Sequence, residues 1–205
     1  MKTVLIDYGA GNLHSVHKAL VASGFDVEVS NEPDRAAQAD VLVLPGQGHF
    51  GQVIGAFLAS GFEPVVQHHI QAQKPFLGIC VGLQLLMRSS EEAPDVAGLG
   101  ILQGEVRRFR GDDISIPQMG WNQFYSYKQP ALLEGLPDGS FAYFANSYYV
   151  SMDEDVAGAT TTYGNTSFKS VISQGPLNAT QFHPEKSQQV GLKILGNFRK
   201  IAASV

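Results

Sequence analysis

The sequence predicts an α/β fold: an open, mostly parallel central sheet with helices on both faces and an antiparallel extension. Three observations predict it. In the first half, short apolar runs alternate with segments long enough to be helices. After about residue 98 the pattern changes to closely spaced strand-like pieces. The 205 residues are 44% hydrophobic and 16% charged, with no low-complexity tract and no linker, so a single domain over 1–205 is expected. A chain of this size buries roughly 70% of the surface its unfolded form exposes.

Taken in order, Val4 to Ile6 and Val27 to Val29 read as the first two buried strands. Between them Leu13, Val16, His17, Leu20 and Val21 recur at i, i+3, i+4, i+7 and i+8, one helical stripe, with Gly24 as its stop. This is a βαβ unit. Val41 to Leu44 is a third strand; Phe62 to Gln73 is a helix-length segment that ends before Pro75; Phe76 to Ile79 is a fourth strand. The second half offers strand-like Ile101 to Phe109, Phe141 to Val150, Ala157 to Tyr163, Ser170 to Ser173 and Ala179 to Phe182. Gly175-Pro176 reads as a turn, and a helix over Val190 to Ala202 closes the chain.

Charge and cysteine content exclude several function classes. A formal net charge of -5 provides no footprint for a polyanion, so no nucleic acid is expected, and Arg107, Arg108 and Arg110 read as a solvated strand end. Cys80 is the one cysteine, so there is no intrachain disulfide, and no Cys-x-x-Cys exists to hold zinc. No metal or cofactor is expected, and a reducing, cytoplasmic setting fits best. The apolar run after Lys2 is too short for a signal peptide, and no run approaches the about 20 residues that cross a bilayer.

Ligands of open α/β sheets sit at the carboxyl ends of the strands. There the strand Phe76 to Ile79 runs into Cys80, and an apolar helix begins at once, with no loop residues between. A lone cysteine after a strand is most often a small core residue. Here Gly78 and Gly82, two before and two after, are what a tight nucleophile elbow needs, with sulfur in place of hydroxyl. The helix amino terminus behind it favours thiolate over thiol.

Attack on an amide also needs a general acid, because an amine leaves poorly until protonated. Of six histidines, His14 and His17 lie on the first helix, and the adjacent His68 and His69 read as a wet face. His183 ends a strand and is followed by Pro184-Glu185. In an extended chain His183 and Glu185 share a face, with Pro184 keeping the stretch extended, so the carboxylate can orient the imidazole toward sulfur. Cys80, His183 and Glu185 together read as nucleophile, base and orienter.

Gly46-Gln47-Gly48-His49-Phe50-Gly51 matches the Gly-x-Gly-x-x-Gly dinucleotide fingerprint by letter, but the acid expected about 20 residues on is absent near Gln71. The loop Gly46, Gln47, Gly48 reads instead as an oxyanion loop offering backbone N–H groups, with that of Val81 as second donor. Tyr8 to Asn12 reads as a glycine turn without chemistry.

These residues resemble the class I, triad-type glutamine amidotransferases. Three separated blocks carry the resemblance: Pro45-Gly46-Gln47-Gly48, Gly78-Ile79-Cys80-Val81-Gly82-Leu83-Gln84 and His183-Pro184-Glu185. Within the class, Ile6 to Leu13, Met119-Gly120-Trp121-Asn122, Asn146-Ser147-Tyr148-Tyr149 and Lys186-Ser187 are similar to the glutaminase subunits of imidazole glycerol phosphate synthases in histidine biosynthesis. The resemblance implies a flavodoxin-like fold and hydrolysis of glutamine through a Cys80 thioester. It implies glutamine held by Gln84, Glu92, Asn146, Ser147 and Tyr148. It also implies a heterodimer with a (β/α)8-barrel cyclase that receives the ammonia, with Tyr143 and Lys186 at the interface. The chain departs from that pattern at Gln118 and Asn146, where a His is common in the family. The glutaminase of pyridoxal phosphate synthase, a Cys peptidase on a similar sheet and a non-catalytic interaction module are the alternatives.

Overall fold

The computed structural model describes residues 1–205. Its strands are β1 (Lys2–Ile6), β2 (Asp26–Ser30), β3 (Val41–Gly46), β4 (Phe76–Cys80), β5 (Ser89–Ser90), β6 (Gly104–Arg108) and β7 (Gln118–Tyr127). They continue with β8 (Ser140–Asn146), β9 (Tyr148–Met152), β10 (Ala157–Tyr163), β11 (Thr166–Gln174) and β12 (Leu177–Thr180). The helices are α1 (Leu13–Ala22), α2 (Pro33–Ala37), α3 (Phe50–Ala59), α4 (Glu63–Gln71), α5 (Val81–Leu85) and α6 (Gln188–Ala203).

The sheet runs in the order β2-β1-β3-β4-β12-β11-β10-β7-β8. The first five strands are parallel, and the rest extend the sheet antiparallel. Every residue of β3, β4 and β12 is buried; β3 and β4 are the continuous apolar runs expected where both faces of a parallel strand are covered, whereas β12 buries Asn178 and Thr180 as well. The β1-to-β2 crossover moves one way along the sheet, and those from β2 to β3 and β3 to β4 move the other. With right-handed crossovers, α1 then lies on one face and α2, α3 and α4 on the opposite one. The final helix α6 packs beside α1. An α/β fold with helices on both faces is therefore what forms.

Several expectations shift. On α1, Asn12 caps the amino end by accepting the Ser15 N–H at 3.3 Å, and Val16 and Leu20 are buried. Val21, expected on the same stripe, is exposed. The stretch 101–109 is strand only from Gly104 to Arg108, and 141–150 is two strands broken at Ser147. The alternation leaves room for α2 between the second and third strands but singles out neither α3 nor the long strand β7, and both form.

Register fixes the geometry of the site. Gly46 of β3 is the partner of Cys80 of β4, and Thr180 of β12 that of Ile79. Three carboxyl ends thus meet around one sulfur.

Candidate active site

The chain passes from β4 to α5 at Cys80 with no intervening residue, and Cys80 takes φ 55° and ψ -109°. Such a backbone costs an L-residue about 1–3 kcal/mol and persists only where the surroundings impose it. The flanking glycines are imposed by close approach. A Cβ on Gly78 would lie 3.0 Å from the Gly82 carbonyl oxygen, and one on Gly82 would lie 2.0 Å from that of Leu44.

His183 Nδ1 lies 2.8 Å from Glu185 Oε1, with the two side chains 6% and 1% exposed. The expected pairing forms, but by a different local route. Pro184 does not keep the chain extended; it opens a 3-10 turn over Pro184–Lys186, because its fixed φ suits a first helical position. The turn is locked from outside: the His183 N–H donates to the Tyr143 carbonyl at 2.9 Å, and Ser187 Oγ donates to the His183 carbonyl at 2.7 Å.

Burial pushes the His183 imidazolium down. The charge of the Cys80 sulfur, a hydrogen bond to it and the Glu185 carboxylate push it up and prevail, raising His183 to about 10. The imidazolium is therefore held beside the sulfur.

These groups open onto a cavity of about 340 Å³. Cys80, Val81, His183, Gln47 and Gly48 line it; Gly46, buried at the end of β3, and Glu185, which meets His183 Nδ1, do not. The five expected substrate-holding residues, Gln84, Glu92, Asn146, Ser147 and Tyr148, also line it, as do Tyr143 and Lys186 at its mouth. The Lys186 Nζ lies 5.7 Å from the centre of the Tyr143 ring.

Two neighbouring acids separate cleanly. Glu92 Oε2 accepts the Phe50 N–H at the start of α3 at 2.7 Å, whereas Glu91 accepts the Arg108 N–H and pairs with Arg110 away from the cavity. Gln84 Nε2 donates to the Tyr148 carbonyl at 3.2 Å, and Asn146 Nδ2 donates to the same oxygen at 2.9 Å. Gln118, the cross-strand partner of Asn146, is buried with neither end of its amide paired. No group of three His, Cys, Asp or Glu side chains converges to hold a metal ion.

Two residues at the site, and a third at the opposite end of β4, escape sequence reasoning. Tyr8, in the turn read as lacking chemistry, is buried and donates its hydroxyl to the Pro45 carbonyl at 2.6 Å, tying that turn to the loop at Gly46. Burial first, and the Cys80 charge second, push its phenol above the usual tyrosine range. Gln181 lies against the sulfur itself. His69 is not on a wet face: it is buried, its Nε2 faces the Pro75 carbonyl at 2.9 Å, and burial pushes it down to about 4. A carbonyl can only accept, so Nε2 donates.

A family model described as glutamine amidotransferase class-I matches residues 4–201. Among curated relatives, a Thermus thermophilus protein named imidazole glycerol phosphate synthase subunit HisH is 50% identical over 200 residues, covering 98% of this chain and 98% of the relative. The protein of that name from Aquifex aeolicus is 50% identical with the same coverages. Among solved structures, the glutaminase domain of Trypanosoma brucei CTPS has a TM-score of 0.69 at 15% identity, covering 100% of this chain and 94% of that one. At such identity the likeness concerns the fold alone.

Proposed function

The chain belongs to the class I glutamine amidotransferases, and on that premise we propose that it is the glutaminase subunit of an imidazole glycerol phosphate synthase. One observation carries the mechanism: a strained cysteine and a carboxylate-held histidine, a hundred residues apart, face one cavity at the carboxyl ends of adjacent strands.

In this reading the Cys80 thiolate attacks the side-chain amide carbon of glutamine. The N–H of Val81, first in its helix and without an intrahelical partner, and the loop Gly46, Gln47, Gly48 receive the oxyanion. His183 gives its proton to the departing amine, so ammonia leaves and a glutamyl thioester remains. The now neutral His183 takes a proton from water, the hydroxide displaces sulfur, and glutamate is released. Glu185 accepts from Nδ1 throughout and keeps the other ring nitrogen toward the reaction. Gln84, Glu92, Asn146, Ser147 and Tyr148 hold the rest of the glutamine.

The partner is a (β/α)8-barrel cyclase covering the cavity mouth. Support comes from the outward face of the β7–β8 ribbon, where Met119, Trp121, Tyr125, Tyr127 and Phe141 are all exposed. Met119 and Tyr143 belong to both this face and the cavity lining. An apolar patch continuous with a site mouth fits a protein that must receive ammonia before water does. No helix is long and apolar enough to cross a membrane, and one domain over 1–205 working in the cytoplasm suits this role.

Glutamate release should rise strongly with the cyclase and its nucleotide ligand, and not with a pyridoxal phosphate synthase partner. Cys80→Ala should lower it by at least about 10³-fold. Retention of most activity by that variant would sink the mechanism.

A further inference from the structure

We propose that Gln181 is a further catalytic residue: its side-chain amide donates an N–H to the Cys80 sulfur, and a relay of two amides anchored on the Tyr148 carbonyl fixes it in that orientation. The proposal rests on Cys80 being the nucleophile. Gln181 is fully buried one residue beyond β12, and its Nε2 lies 3.8 Å from Cys80 Sγ. Its Oε1 accepts from Gln84 Nε2 at 3.1 Å, and Gln84 Nε2 also donates to the Tyr148 carbonyl at 3.2 Å.

The direction of the relay follows from what each group can do. A backbone carbonyl only accepts, so the end of Gln84 that meets Tyr148 must be its nitrogen. The second hydrogen of that nitrogen needs an acceptor, so Gln181 turns its oxygen to Gln84. Its amino group is left toward the sulfur. Flipping Gln181 would set two amino groups against each other and an oxygen against a thiolate, both in a buried place where unsatisfied polar groups are costly. A fixed N–H donor favours S⁻ over SH.

The anchor adds a link to substrate. Tyr148 lines the cavity, and Asn146 donates to the same carbonyl at 2.9 Å. The segment assigned to glutamine is therefore joined to the nucleophile through three short contacts.

Because Cys80 is the only cysteine, alkylation by iodoacetamide followed by mass reports on that sulfur alone. The test is the pH profile of the alkylation rate in the full chain. Gln181→Met keeps the volume and removes the donor; it should move the midpoint to higher pH and slow alkylation at neutral pH by about three- to tenfold. Gln181→Glu keeps the shape and the bond from Gln84, so it reads out even if the Met variant fails to fold, and should move the midpoint the same way. A midpoint that stays or falls in a folded variant overturns the proposal while leaving the nucleophile in place. A wild-type sulfur no more reactive than a thiol in an unfolded peptide at any pH overturns the reading beneath it.

Discussion

Glu185 sets how much of the pH range His183 can use. Its carboxylate is among the groups that raise His183 to about 10, so in the proposed mechanism the imidazolium that protonates the departing amine persists well above neutrality. Glu185→Gln keeps the size but takes away the charge. The basic limb of kcat/KM should then move to lower pH by about one pH unit, with kcat down about 10²- to 10⁴-fold. An unchanged pH profile would mean that the carboxylate only fills space. At this scale Cys80 and His183 were legible because glycines at fixed offsets and a following Pro-Glu are local features of the chain. Gln181 and Tyr8 were not, because their meaning lies in contacts across 101 and 37 positions, which no local pattern encodes.

Among elements, the junction of β4 and α5 has the least room. Gly82→Ala would press a methyl into the Leu44 carbonyl, at 2.0 Å before any relaxation. Overpacking of this kind costs typically about 1–3 kcal/mol. Thermal unfolding should shift down by several degrees, and glutaminase rate should fall further than stability does, since the elbow that aims the sulfur must move. An alanine variant with wild-type Tm and rate would show that the approach is not tight. β1, β3 and β4 are readable as continuous apolar runs because both their faces are covered, whereas β2, expected to be buried at Val27 to Val29, is the sheet edge and leaves Val29 exposed. The strand β7 is not readable, because its pattern is inverted. Gln118 points inward and Met119, Trp121, Tyr125 and Tyr127 point out, so the rule that apolar residues mark the core fails. The 3-10 turn after His183 was misread for a related reason: proline restricts φ to a value shared by extended and helical beginnings.

Across the whole molecule two histidines tilt stability in opposite directions. His69 is pushed down to about 4, so the unfolded chain takes up its proton first, and stability is lost as pH falls from about 6.5 toward 4. His183 is pushed up to about 10, so the folded chain holds its proton longer, and stability is lost as pH rises from about 6.5 toward 10. Denaturant midpoints should therefore peak near pH 6.5, and His69→Gln should flatten the acid side only. A midpoint rising steadily to pH 9 would contradict this. The β7–β8 ribbon has a further cost for a cell. The strand β8 ends the sheet; its outer edge is met at Tyr143 by the His183 N–H and by Ser187 Oγ, but its outward side chains include the exposed Phe141. A bare apolar face of this kind sticks to other copies of itself. Chains made in excess of their companion would then be lost to aggregates, which favours synthesis of the two in matched amounts.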